Sequence, residues 1–144
     1  MTVQPIPEGY HNVTPYLTVH QAAQVIDFAK AVFGAEEKFC MDNPDGTIAH
    51  AEIIIGDSVI MIADANDSNP PMPSTLHVYM EDVDAVYERA MQAGATSIRE
   101  PKNEFYGDRM AGVKDMSGNQ WWVATHVEDL SPEEYEARAA AEGA

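Results

Sequence analysis

Cysteine occurs once in these 144 residues, at Cys40. A single thiol closes no internal disulfide and builds no multi-cysteine metal knuckle. Cations are scarce too: eight Lys and Arg stand against 24 Asp and Glu, a formal net charge of −16. That leaves no cationic surface to displace counterions from a nucleic-acid backbone, and it disfavours an anionic membrane surface for the same reason. No apolar run approaches the ~18 residues that span a bilayer. Residues 1–10 carry Pro5, Pro7 and Glu8 where a secretory leader needs a basic stretch followed by an apolar one. These absences point to a soluble cytoplasmic protein with no nucleic-acid or membrane partner.

What is present is a 45% hydrophobic chain, long enough for one domain or for two half-domains sharing a core. Residues 1–10 read as an extended lead-in. Val13–Val19 alternates as a strand, with Pro15 marking an edge or a start. Ala22, Val25, Ile26, Ala29, Val32 and Phe33 fall at helical spacing, and Gly34 stops the helix. Glu37–Met41, Ile48–Ile55 and Ser58–Ala63 follow as strands, and the proline-rich 65–74 stretch is a linker. The order then recurs. Leu76–Met80 is a strand, and Asp82 caps a helix that carries Val83, Val86, Tyr87, Ala90 and Met91 and ends at Gly94. Ala95–Arg99 is a strand, Glu100–Arg109 a long polar loop, and Ala111–Lys114 and Gln120–Thr125 a hairpin.

Both halves therefore read strand-helix-strand-strand-strand, over residues 11–64 and 75–127, and an internal duplication is the simplest account. Each half is too small to be comfortable alone, so the halves should pack together or exchange with a partner chain. Residues 128–144 form an acidic tail. Ser131, Pro132 and Glu134 there carry the signature of a capped helix start. That tail is either a solvated appendage or an arm that clasps a second subunit.

Several short motifs carry a resemblance: Tyr16-Leu17-Thr18-Val19, His50-Ala51-Glu52, Gly56-Asp57-Ser58, Glu81 to Val86, Phe105 to Arg109, and Asp115, Gly118 and Trp121. With the repeated βαβββ order, they resemble the vicinal oxygen chelate superfamily of glyoxalase I, bleomycin-resistance proteins and extradiol dioxygenases, and within it the PhnB-like branch. The resemblance implies an α+β fold in which two βαβββ modules curve a mixed sheet into a ligand cup, commonly at a homodimer interface, here with a C-terminal helix added. The superfamily's metalloenzymes place four ligands on the first and last strands of each half. The matching positions here are Thr14, Met61, Thr75 and Trp122, which offer poor donors for a divalent cation. A shift of two residues in the fifth strand brings His77 into play. Relatives commonly carry His-x-Trp where this chain has Asn119-Gln120-Trp121.

Strand parity selects the remaining candidates. His50 and Glu52 project to one side of their strand, while Ala49, Ala51, Ile53 and Ile55 take the other; His77 and Tyr79 likewise share a face. If both polar faces line one cup, His50, Glu52 and His77 make a two-histidine, one-carboxylate set of the kind used by iron and zinc. Without metal, a histidine beside a carboxylate is an acid/base pair. The plain alternative is a structural hydrogen bond that orients a neutral His50. Tyr16, Met61, Tyr79 and Trp122 are expected to line the cup and to suit a flat apolar or aromatic ligand. Tyr106 and Arg109 gate it, Arg109 offering a guanidinium fork to an anionic group, unless Asp108 and Arg109 only pin the loop. Cys40 reads as a passive, at least half-buried thiol, and His11, His20 and His126 as surface residues. The sequence thus points to a cofactor-free, homodimeric small-molecule binder. The alternative is a lyase, isomerase or dioxygenase that uses a divalent metal on His50, Glu52 and His77.

Overall fold

A computed structural model describes residues 2–143. Its elements run β1 (Tyr16–Val19), α1 (Ala22–Phe33), β2 (Glu36–Asp42), β3 (Ile48–Ile55), β4 (Ser58–Asp64), β5 (Thr75–Tyr79), α2 (Val83–Gln92), β6 (Thr96–Asn103), β7 (Asp108–Lys114), β8 (Gln120–His126) and α3 (Pro132–Glu142). The chain divides into two compact units, one running up to Ser74 and including Met116–Gly118, the other holding Thr75–Asp115 and Asn119 onward.

In the first unit the sheet order is β1-β4-β3-β2, with β1 parallel to β4 and the other pairs antiparallel. Leu17, Ile62 and Ala51 stand in register on one face, 1%, 0% and 0% exposed. Against that face α1 presses Val25, Ile26, Ala29 and Val32, the stripe its spacing predicts. Each large aliphatic side chain buried this way contributes about 1.5–3 kcal/mol. The second unit repeats the plan as β5-β8-β7-β6, with α2 packed on β6, β7 and β8 over Trp121, Val113 and Val123.

The repeat extends to the helix starts. The first α1 amide, on Ala22, donates to Asp64 Oδ1 at 2.9 Å, and the first α2 amide, on Val83, donates to Thr125 Oγ1 at 3.0 Å. Both bonds span 42 residues and reach from the end of the unit's last strand. Each helix is thus anchored through a donor that would otherwise lack a partner. Asp82 also caps α2 as expected, accepting from the Ala85 amide at 3.2 Å.

Two boundaries differ from the sequence reading. β1 begins at Tyr16, because Pro15 has no N–H to give; its carbonyl still accepts from Met61 at 2.9 Å. The polar loop expected over Glu100–Arg109 contracts to Glu104–Gly107, since β6 continues to Asn103 and β7 starts at Asp108. Among the described residues β6 is an edge strand bonded only to β7, and its register slips between Arg99 and Lys102, so Pro101 costs no ladder bond on a second side. An edge strand facing solvent carries no apolar alternation to announce itself.

α3 buries none of its side chains, yet it is tethered. The Tyr135 ring lies 5.6 Å from that of Phe105, and Arg138 donates to the Phe105 carbonyl at 3.3 Å while pairing with Glu128. Among the described residues, no helix is long and apolar enough to cross a membrane.

Candidate functional site

In the first unit, the sheet face opposite α1 carries Tyr16, Met61, Glu52 and Phe39 in one register row, with His50 opposite Met41 in the next. His50 Nε2 lies 2.9 Å from Glu52 Oε2, and the Tyr16 hydroxyl is 3.4 Å from His50 Nδ1. Tyr10 donates its hydroxyl to the other Glu52 oxygen, and the Lys38 ammonium sits 3.9 Å above the Tyr10 ring. The Glu52 carboxyl is held below the usual carboxylate range, first by the Tyr10 hydrogen bond and then by His50. Between the lead-in and the sheet lies a cavity of about 440 Å³, walled by Ile6, Tyr10, Thr14, Glu52 and Met61. His50 and Glu52 thus form the expected pair, with Tyr10 as a third member that sequence reading did not assign.

His77 belongs to the second unit, on β5, with its ring 4.9 Å from that of Tyr79. Among the described residues, no three His, Cys, Asp or Glu side chains form a group that could hold a metal ion. At Thr14, Met61, Thr75 and Trp122 the donors are two hydroxyls, a thioether and an indole, which do not fit a divalent cation.

The second unit's face opposite α2 is aromatic and thioether-rich. Trp122 stands in register with His77 on one side and Gly112 on the other, and Gly112 leaves the space its ring occupies. A Cβ at Gly112 would meet ring atoms of Trp122 at 2.8–2.9 Å. Arg99 lies with its guanidinium carbon 5.6 Å from the Trp122 ring centre, donates to the Met110 carbonyl at 3.0 Å and pairs with Glu104 at 2.5 Å. The Tyr106 hydroxyl reaches Met110 Sδ at 3.7 Å, and Tyr106 titrates above the ordinary phenol range because it is desolvated and close to Glu104 and Asp108. Tyr79 is 62% exposed and donates to Asp108 Oδ2 at 3.1 Å.

Arg109 does not sit over that face. Asp108 and Arg109 are neighbours on β7, so they project to opposite sides, and Asp108 takes the side of Trp122. Arg109 instead reaches α2, with Nε 2.7 Å from Asp84 Oδ2, and Nη1 donates to Asn103 at 3.2 Å. Its fork is already filled by a carboxylate, which replaces the expected gating role with a helix-to-sheet clamp. The cation beside Trp122 is Arg99, which sequence reading did not select.

Trp121 is core: fully buried, it donates from Nε1 to Asp115 at 2.8 Å, and Asp115 also accepts from the Asn119 amide and side chain. Asn119 is therefore a turn-building residue. Cys40 is exposed on β2 rather than buried, and partial desolvation with neighbouring Asp42 and Glu37 pushes its thiol up, away from the nucleophilic thiolate.

His126 is exposed at the end of β8, as expected, but it is held there by two partners. Its Nδ1 is 2.7 Å from Asp108 Oδ1 and Nε2 is 2.7 Å from Asp129 Oδ1. Continuing the parity of Trp122 and Ala124 to the end of β8 puts it on the open face, and that was the available signal. An open cavity of about 970 Å³ adjoins it, walled by Tyr79, Met80, Asp82, Arg89 and Thr125.

The chain matches the model of the Glyoxalase/Bleomycin resistance protein/Dioxygenase superfamily over residues 10–123. It is 32% identical to protein Mb0911c of Mycobacterium bovis, an alignment covering 91% of this chain and 93% of that one. Solved structures share its fold, three of them as follows. TioX from Micromonospora sp. ML1 has a TM-score of 0.64 at 21% identity, covering 81% of this chain and 100% of that one. TnmS3, an antibiotic binding protein from Streptomyces sp. CB03234, has a TM-score of 0.64 at 20% identity, covering 88% and 98%. A PhnB protein from Bacillus cereus has a TM-score of 0.65 at 18% identity, covering 80% and 99%.

Proposed function

This chain belongs to the glyoxalase/bleomycin resistance protein/dioxygenase superfamily, and from that premise we propose that it is a small-molecule binding protein, taking up a flat apolar or aromatic ligand on its open sheet faces. The observation that carries this reading is the second unit's face, where Tyr79, Tyr106, Met110 and Trp122 gather opposite the helix. Aromatic faces stack on planar ligands, and a thioether adapts to their outline. Tyr16, Phe39, Met41 and Met61 give the first unit a face of similar chemistry, edged by His50 and Glu52. TnmS3, described as an antibiotic binding protein, gives this reading a precedent in the same fold. In this proposal the cup is completed in a homodimer, and size-exclusion chromatography with light scattering tests that; a strict monomer sinks the dimeric cup.

Ligand binding is tested by titrating the protein with Nile red, a neutral planar dye that the −16 charge does not repel. Saturable uptake is expected, quenching the half-buried Trp122, and Trp122→Ala and Tyr106→Ala should each weaken it about tenfold or more. Absence of saturable uptake overturns the reading. A metal-dependent lyase, isomerase or dioxygenase is the second reading, favoured by the 2.9 Å His50–Glu52 pair. About one equivalent of metal in protein purified without chelator, lost in His50→Ala, would decide for it.

A further inference from the structure

The chain beyond β8 lies outside the superfamily match, which ends at residue 123, yet it is built into the second unit. Val127 and Glu128 both donate their amides to the Gly107 carbonyl, at 2.9 and 3.1 Å. Gly107 holds φ +100, and a Cβ there would lie 2.4 Å from the Glu128 carbonyl oxygen. Only glycine both adopts that backbone and leaves room for the incoming strand. Further on, Tyr135 packs on Phe105 and Arg138 bonds the Phe105 carbonyl. The segment therefore crosses the Phe105–Tyr106 turn and borders an open cavity of about 520 Å³ with Tyr106, His126 and Asp129 in its wall.

His126 stands where the segment leaves the sheet. Each ring nitrogen faces a carboxylate oxygen, and only the doubly protonated ring can donate to both. Asp108 is 5% exposed and held on its second oxygen by Tyr79, so it stays in place. Asp129 is exposed and belongs to the segment, so its bond is the one that yields. Glu81, Asp82 and Arg89 share a cavity with His126 on one side, and Tyr106, Tyr135 and Glu136 share one on the other. We propose that residues 127–142 are a strap over the Tyr106 wall of the ligand face, and that the His126–Asp129 bond is its proton-operated latch.

The two carboxylates, Asp108 first and Asp129 second, hold the ring's titration above its ordinary value. The strap is therefore latched in acid and released as pH rises through the raised value. The consequence for ligand uptake rests on the function proposed above; the latch itself does not.

The test is amide exchange by NMR on the full chain, reading the protection factors of Val127 and Glu128 from about pH 5.5 to 8.5, across the range in which histidine changes charge. The His126 ring is followed in the same samples. In the wild type, protection should fall about two- to fivefold through the ring's titration, the range an exposed ion pair supports. In Asp129→Asn, which keeps the Asp108–His126 bond, protection should be low and flat, and the ring should titrate lower. A flat wild-type profile, or an Asp129→Asn profile that tracks the wild type, overturns the latch. Nile red uptake is measured alongside: a strap that responds to pH in a chain taking up no dye overturns the ligand reading and supports the latch.

Discussion

Arg109 grips Asp84 through two parallel hydrogen bonds, Nε to Oδ2 at 2.7 Å and Nη2 to Oδ1 at 2.9 Å. The pair ties β7 to the first turn of α2, where a carboxylate also complements the helix dipole. Arg109→Ala should therefore lower the urea midpoint while leaving Nile red affinity unchanged, and Arg109→Lys should not restore it, because a point charge lacks the fork. The arginine holds the Asp84 carboxyl below the usual carboxylate range. Folding then favours the ionised form, so the contribution is present above about pH 4 and is lost as pH falls through the lowered value. Urea midpoints of wild type and variant should converge in strong acid; a gap persisting there would count against the pair.

Asp115 accepts from the Asn119 amide at 3.0 Å, the Asn119 side chain at 3.0 Å and the Trp121 indole at 2.8 Å. All belong to buried residues. Asp115→Ala removes that buried acceptor, and should cost about 3 kcal/mol or more in urea unfolding. A loss below about 1 kcal/mol would show that water replaces the carboxylate.

Gly112 is small because Trp122 lies across it. Gly112→Ala should destabilise by about 1–3 kcal/mol by overpacking, and should shift the Trp122 emission. The backbone at Gly112 is not left-handed, so the same substitution in a Trp122→Ala background should cost little. A double-mutant cycle showing simple additivity would contradict this contact.

The Tyr10 hydroxyl is the main cause of the lowered Glu52 titration. Tyr10→Phe should raise the Glu52 pKa toward its ordinary 4.5, read by carbon-detected NMR of the carboxyl. Stability that depends on this bond is present above that value and drains away as pH falls through the folded one. An unmoved Glu52 titration would remove Tyr10 from the site.

Local patterns that answer to one element were legible in the sequence. The α1 stripe, the Asp82 and Ser131 caps and the βαβββ repeat each depend on a fixed period or a residue's own hydrogen-bonding reach, and each is present. The Ala51, Ile53 and Ile55 side of β3 is buried as alternation predicts. Partnerships across strands were less legible. Asp108 and His126 lie 18 residues apart and meet only because the β7–β8 hairpin sets them opposite each other. Asp84 and Arg109, 25 residues apart, meet only once α2 lies on β7.

The sequence by itself determined what scarcity and periodicity control: an acidic chain with a single thiol, two repeated modules, and the helices that stop at Gly34 and near Gly94. The tertiary structure decided which of the few cations serve the open face. One residue of register on β7 turned Arg109 toward the helix, while a bulged edge strand brought Arg99 over Trp122. A side chain's face follows from strand parity, but where the strand begins follows from the neighbour to which it bonds, and no local pattern contains that neighbour.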